Sequence, residues 1–158
     1  MILRTIQKSD NSKIAQVIRD VFISDDFPKT GTAFADVQLD FLYEFYQQDK
    51  SDYFVLDNQG ELFGGCGIAP LEQGNSVVCE LQKMYLLPVV RGKGFAKQLI
   101  EICIEKAIHL GFKQCYIETL PEMESAQKLY VSYGFNYIDL PLGNTGHSSC
   151  PIWMLKNL

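Results

Sequence analysis

The chain has 158 residues, which suits one domain, residues 1–158, with a sizeable core. With 47% hydrophobic and 21% charged residues, it has an ordinary globular composition and no apolar run near the roughly 18 residues of a membrane span. A net charge of -5 argues against nucleic acid as a partner, and the first ten residues lack the apolar core of a secretion signal. The five cysteines form no C-x-x-C pair. We therefore expect a cytoplasmic protein with reduced, buried thiols, no metal site and no membrane association.

Residue spacing in the first half of the chain predicts three strands and two helices. A strand over Met1–Gln7 precedes a helix that Ser9 or Asp10 can cap, with apolar residues at helical spacing from 14 to 22. After a polar loop, a second amphipathic helix is predicted from Phe34 to Phe45. Two strands then flank a turn at Asn58–Gly60. The second of these strands contains glycines that suggest a bend or a close approach of backbone: Gly64, Gly65 and Gly67.

The second half alternates strands and helices. A long strand over 76–87 ends at Pro88, a long helix ends near Gly111, and a strand follows over 113–120. The sequence "TLPE" fits a capping box, with Thr119 as N-cap and Glu122 as its partner, for a helix running towards Gly134. Two closing strands, "FNYIDL" and "PIWMLKNL", complete the order β-α-α-β-β-β-α-β-α-β-β. This order predicts an α/β fold in which helices pack on a mixed sheet.

The stretch "LPVVRGKGFAKQL", residues 87–99, places two glycines and two cations before the long helix. It is a poor P-loop because Phe95 follows Gly94, and a poor dinucleotide fingerprint because Lys97 occupies the third glycine position. The pattern R-x-x-G-x-A does fit, as Arg91, Gly94 and Ala96. Glycines can turn backbone N–H groups inward at a positively polarised helix start, which favours a diphosphate. The alternative is a tight turn with solvated charges.

Three segments together resemble the GCN5-related N-acetyltransferase (GNAT) family: "LRTIQKSDNSKIAQVI", "ELQKMYLLPVVRGKGFAKQL" and "ESAQKLYVSYGF". One departure is Met123, where that family often has Asn. The resemblance implies a single-domain, mainly antiparallel mixed sheet flanked by helices, with acetyl-CoA as cosubstrate and no metal. It implies that backbone near Met84 and Leu86 pairs with the pantetheine arm. It also implies that the diphosphate lies on the turn made by Arg91, Gly92, Lys93, Gly94, Phe95 and Ala96.

Acetyl transfer to an amine needs a base for the ammonium proton and an acid for the departing thiolate. Glu80, among apolar neighbours on the long strand, matches the place of the family's base, although an ion pair with Lys83 would also explain it. Tyr130 matches the tyrosine that often faces the thioester sulfur in this family, although it could be a core residue. Weaker candidates are Glu118, explained by capping or exposure, His147, a turn residue, and Cys150, which lacks a His–Asp arrangement.

The resemblance therefore implies an N-acetyltransferase that moves the acetyl group of acetyl-CoA to a primary amine by direct attack in a ternary complex. Two alternatives remain at this point: a non-catalytic module that binds or senses acyl-CoA, and a protein that uses "RGKG" for a nucleotide phosphate. The acceptor is expected to be a small-molecule or peptide amine, framed by the loops at 24–32 and 141–150. The closing strands offer one route to a homodimer.

Overall fold

The computed structural model describes residues 1–158, and seven of its strands form one sheet of order β1-β2-β3-β4-β5-β7-β6. The strands are β1 (Ile2–Thr5), β2 (Asp52–Asn58), β3 (Glu61–Pro70), β4 (Val78–Leu86), β5 (Gln114–Thr119), β6 (Asn136–Ile138) and β7 (Ile152–Asn157). Only the β4–β5 pair is parallel, and every other neighbouring pair is antiparallel. The predicted mixed, mainly antiparallel sheet is confirmed.

Four helices cover the two faces of this sheet: α1 (Asn11–Ser24), α2 (Leu42–Phe45), α3 (Phe95–His109) and α4 (Glu124–Ser132). Successive residues of β2 point to opposite faces, so Phe54 joins the core under α3 and α4 while Tyr53 joins the core under α1 and α2. Each helix contributes an apolar stripe to one of these two cores, as its sequence spacing predicted. No helix of the chain is both long enough and apolar enough to cross a membrane.

Two sequence predictions about local structure are wrong. The segment from Phe34 to Phe45 is not one helix: 3-10 turns at Ala33–Ala35 and Val37–Phe41 precede the single turn of α2. Asp36 interrupts the helical path with an extended backbone (φ -61°, ψ 127°). The apolar spacing there reflects packing of Leu39 and Leu42 in the core rather than a continuous helix.

The capping box predicted at Thr119 is also absent. Thr119 is the last residue of β5, where it pairs with Ile152 of β7. Its hydroxyl donates to the sulfur of Met123, 3.5 Å away, and α4 begins at Glu124 without a side-chain cap. Pairing with β7 therefore holds Thr119 in the sheet, and the N-cap of the helix moves four residues along the chain, from Thr119 to Met123.

The parallel pair β4–β5 separates partway along its length. Only Val78, Cys79 and Glu80 of β4 pair with β5, so the edge of β4 beyond Glu80 has no strand beside it. A β-bulge opposite β3 lies in the same stretch, where Lys83 takes a left-handed backbone (φ 49°). The Tyr53 hydroxyl donates to the Lys83 carbonyl at 3.0 Å, which supports this bulge from the core. Two diverging strands and a bulge together open a fork in the centre of the sheet.

Close backbone approach explains a glycine in β3, as the sequence suggested. A Cβ on Gly67 would lie 2.5 Å from the ring of Tyr53 and 2.7 Å from that of Tyr46. These two rings pack against each other with centroids 5.0 Å apart. A side chain at this position would displace the aromatic residues that support the β4 bulge.

Candidate active site

A cleft of about 610 Å³ opens between β4, the start of α3 and the start of α4. Six of the eight residues predicted to bind the cofactor line it: Met84, Leu86, Arg91, Gly92, Gly94 and Ala96. Of the other two, Lys93 is exposed and Phe95 packs against the core under α3. Lys97, one turn further along α3, also lines the cleft, and the sequence motif did not single it out.

The turn before α3 presents a row of free backbone donors. None of the amides of residues 92–97 donates a hydrogen bond within the chain; the first helical bond is Gln98 N to Gly94 O, at 3.3 Å. Gly92 and Gly94 have positive φ of 73° and 86°, which other residues rarely adopt, and no atom lies within 4 Å of a Cβ built on either. Free amides at a helix N-terminus are a favourable site for an anion.

Arg91 fastens this turn to the end of β4. Its Nε donates to the Leu86 carbonyl at 2.9 Å, and its Nη2 lies 2.7 Å from Asp25 Oδ2. The sequence analysis named no partner for Arg91, and in the fold its partner is Asp25, from the polar loop that follows α1. Because both side chains lie on the cleft wall, a carboxylate stands beside the candidate anion site.

A second, smaller cavity of about 30 Å³ lies at the fork between β4 and β5. Met84, Tyr85 and Met123 line both cavities, so the two spaces meet at these residues. Glu80 and Tyr130, the predicted base and acid, both line the smaller cavity. The sequence placed these two residues 50 positions apart, and the fold brings them to one site.

Glu80 is 3% exposed at the point where β4 leaves β5. Gln82 Nε2 donates to Glu80 Oε2 at 2.6 Å, and the Tyr46 hydroxyl donates to Gln82 Oε1 at 2.9 Å. Burial raises the pKa of Glu80 to about 7, even though the Gln82 hydrogen bond and the charges of His147 and Lys83 act in the opposite direction. A carboxyl with that pKa can accept a proton near neutral pH.

Tyr130 reaches the junction of the two cavities from α4. Its side chain is buried, and its hydroxyl lies 3.8 Å from the Met84 sulfur. Burial raises the pKa of this phenol well above its usual range. The group therefore keeps its proton at neutral pH and can act as a hydrogen-bond donor.

Other charged side chains meet beside Glu80. One carboxylate oxygen each of Glu80 and Glu118 and one ring nitrogen of His147 lie within 4.8 Å of one another. Glu118 accepts hydrogen bonds from the hydroxyls of Tyr116, at 2.7 Å, and Thr145. Contrary to the sequence interpretation, Glu118 is held inside the site rather than capping a helix.

This cluster has side chains that metal ions bind, which cysteine and histidine spacing did not indicate. Its possible ligand atoms already have protein partners: each oxygen of Glu118 accepts a hydroxyl hydrogen bond, and Glu80 Oε2 accepts one from Gln82. His147 Nε2 faces the Asp36 carboxylate, 3.0 Å from its Oδ1, and donates to it. Cys150 also lines the smaller cavity, but burial raises the pKa of its thiol to about 12. That thiol is protonated at neutral pH and so is a poor nucleophile.

Sequence reasoning missed Asp36 and gave Lys83 only a structural part. The Lys83 ammonium is buried and lies 2.6 Å from Asp36 Oδ2. The one available signal was a lysine within a largely apolar strand that also contains Glu80 and Gln82. Its partner lies 47 residues away in a segment that the sequence assigned to a different structure.

Comparison with known proteins shows the family of this chain. Residues 18–135 match the model of the acetyltransferase (GNAT) family. The uncharacterized N-acetyltransferase YjgM of Escherichia coli (strain K12) is 46% identical over 160 residues, which cover 99% of this chain and 95% of that protein. The uncharacterized N-acetyltransferase YsnE of Bacillus subtilis (strain 168) is 31% identical over 102 residues, 63% of this chain and 66% of that protein.

Solved structures share the fold at low sequence identity. A GNAT-family acetyltransferase from Staphylococcus aureus Mu50 superposes with a TM-score of 0.85 at 18% identity, covering 99% of this chain and 98% of that one. An aminoglycoside 6'-N-acetyltransferase complexed with coenzyme A gives a TM-score of 0.71 at 15% identity, covering 99% and 97%. The chain therefore belongs to the GNAT family and is an acyl-CoA-dependent acetyltransferase.

Proposed function

We propose that this enzyme transfers the acetyl group of acetyl-CoA to a primary amine by direct attack within a ternary complex. The observation that carries the proposal is that two neighbouring cavities share Met84, Tyr85 and Met123 in their walls. One cavity has the free amides of a cofactor site, and the other has a buried carboxyl with a pKa of about 7. A donor entering from the first and an acceptor entering from the second would meet beside Tyr130.

The large cleft supports the cofactor assignment. The diphosphate would lie on the amides of residues 92–97, with the charge of Lys97 nearby. The pantetheine arm would pair with the free edge of β4 near Met84 and Leu86, completing the ladder that β5 leaves open. The CoA-bound structural neighbour has the same fold, which is consistent with this placement.

The chemistry follows from the two titratable groups at the junction. Glu80 takes a proton from the acceptor ammonium, and the freed nitrogen lone pair attacks the thioester carbon. The tetrahedral intermediate collapses with cleavage of the C–S bond, and the electron pair goes to sulfur. Tyr130 donates its hydrogen bond, and then its proton, to the departing thiolate. The extra proton on the attacking nitrogen then passes to the Tyr130 phenolate, directly or through water, which leaves a neutral amide and restores the phenol. No covalent bond to the enzyme forms.

A module that only binds acyl-CoA has no use for Glu80 in this position. A carboxyl kept at 3% exposure among apolar groups is costly to the fold, and the cofactor cleft does not need it. The acidic cluster formed with Glu118 instead favours a cationic acceptor, such as an alkylammonium.

The test is release of CoA thiol from acetyl-CoA with a panel of primary amines: alkylamines, amino acids, an aminoglycoside and a peptide with a free N-terminus. Mass spectrometry identifies any acetylated product, and the matching alcohols serve as controls. Turnover with at least one amine, lost in Glu80→Gln and kept in the exposed control Glu105→Gln, is expected. Equal activity in wild type and Glu80→Gln would contradict the role of Glu80.

A further inference from the structure

The mechanism above does not use the buried ion cluster centred on Asp36. Its Oδ1 lies 3.0 Å from His147 Nε2, and its Oδ2 lies 2.6 Å from Lys83 Nζ. The exposed side-chain fractions are 13% for Asp36, 17% for His147 and 2% for Lys83. Three distant parts of the chain therefore meet here: the segment between α1 and α2, the β4 bulge and the loop between β6 and β7.

His147 stands between this cluster and the proposed base. While Nε2 faces Asp36, one ring nitrogen lies within 4.8 Å of oxygens of both Glu80 and Glu118. The titratable groups that face the ring are Asp36 from the α1–α2 segment, Glu80 and Lys83 from β4, and Glu118 from β5. Three of these four groups are carboxyls, and their negative charges favour the protonated, positively charged form of the His147 ring.

The charge balance around His147 favours the protonated form of its ring. Burial lowers the pKa of His147, but the hydrogen bond and charge of Asp36 more than offset burial and the Lys83 charge, so the pKa lies above its usual value. Asp36 shares its negative charge with Lys83, and the Asp36 pKa lies below its usual range because these partners outweigh the cost of burial. Asp36 therefore stays ionised and favours the charged form of the His147 ring.

Resting on the role proposed above for Glu80, we propose that the Asp36–His147 pair is a positioning unit for the base. The imidazolium favours the carboxylate form of Glu80, which is the form able to accept the acceptor's proton. The same contact holds the loop between β6 and β7 beside the acceptor cavity, together with the bond from Thr145 to Glu118. His147 would thus act through Glu80 rather than on the substrate.

Titration of the free enzyme tests this directly. The side-chain carboxyl signal of Glu80 can be followed by ¹³C NMR from pH 4 to pH 9 and assigned by its absence in Glu80→Gln. His147→Gln keeps a polar side chain and removes the charge, so the pKa of Glu80 should rise by about one unit, as expected for loss of a cation within about 5 Å. The matched control is His109→Gln, at the exposed end of α3, which should leave Glu80 unchanged.

A second variant keeps the test decisive if His147→Gln folds poorly. In Asp36→Asn, the His147 ring should titrate at a lower pH than in the wild type, which ¹⁵N NMR of the imidazole reports. An unchanged Glu80 titration in folded His147→Gln, or an unchanged His147 titration in Asp36→Asn, would overturn the proposal.

Kinetics separate this inference from the proposed function. With the most active amine of the panel, His147→Gln should shift the acid limb of kcat/KM upward by about one pH unit, which is about tenfold at pH 6, and keep the plateau. If kcat/KM of His147→Gln fell by the same factor at every pH, His147 would only hold the loop in place, and the positioning role would be refuted. Full activity of Glu80→Gln would instead show that Glu80 is not the base. The NMR titrations would still show whether the charge of His147 changes the pKa of Glu80.

Discussion

Replacing Glu80 with glutamine should make the protein more stable at alkaline pH while impairing its catalysis. Burial raises the pKa of Glu80 from an ordinary 4.5 to about 7, so the folded state binds this proton more tightly than the unfolded chain does. The stabilising effect of the bound proton is complete below about pH 4.5 and is lost as pH rises through 7. At about 1.36 kcal/mol per pKa unit, ionisation of Glu80 costs about 3 kcal/mol at pH 8.

Glutamine has the same shape and cannot ionise, and its amide oxygen can still accept the hydrogen bond from Gln82. Glu80→Gln should therefore match the wild type at pH 4.5 and exceed it by about 2–3 kcal/mol at pH 8. For a chain of this length, that corresponds to roughly 4–12 °C in Tm. This gain in the free energy of unfolding would equal the stability that the wild type loses by keeping an ionisable carboxyl buried in its centre.

Thermal melts and urea titrations of both proteins at pH 4.5, 6, 7 and 8 measure this difference. Glu105→Gln, an exposed position on α3, is the control for removal of a charge and should show no such trend. The reasoning fails if Glu80→Gln is less stable than the wild type at pH 8, because Glu80 would then be a stabilising ion-pair partner. It also fails if the stability difference does not change between pH 4.5 and pH 8.

Three further predictions concern the cofactor side. Gly94→Val should weaken CoA binding by at least tenfold in a folded protein, because its φ of 86° favours glycine and the valine side chain would fill the open space proposed for the diphosphate. Calorimetric Kd values measure this, and an unchanged Kd would reject the diphosphate site. Tyr130→Phe should lower kcat by about 10²–10⁴-fold with little change in acetyl-CoA affinity, and full kcat in steady-state assays would return Tyr130 to a packing role. Asp25→Asn should tighten CoA binding by up to about fivefold at low salt, since Arg91 keeps its bond to Leu86 while a repelling carboxylate is lost. Weaker binding in a salt-dependent titration would show that Asp25 instead orients Arg91.

The cleft proposed for the cofactor is lined by residues that the sequence analysis grouped together, because most of them are neighbours in the sequence. A strand that ends at Pro88, two glycines and a helix start are local features, and local geometry alone turns the amides of residues 92–97 outward. The element order likewise predicted a mixed sheet with helices packed on it, since each element carries its own hydrophobic period. The resemblance to the GNAT family then identified Glu80 and Tyr130 as candidates for the base and the acid.

Tertiary structure alone decided what surrounds those two residues. Asp36 is 44 residues from Glu80 and 111 from His147 in the sequence. No sequence pattern predicts that its carboxylate contacts Lys83 and His147. The same contact accompanies the extended backbone at Asp36, so the predicted helix from Phe34 to Phe45 is broken by long-range charge and packing. A sequence reports which residues are near each other along the chain, whereas the pKa of a buried group depends on which residues are near it in space. For this protein the amino-acid order therefore determined the sheet and the cofactor turn, and only the folded arrangement determined the charge of the acceptor site.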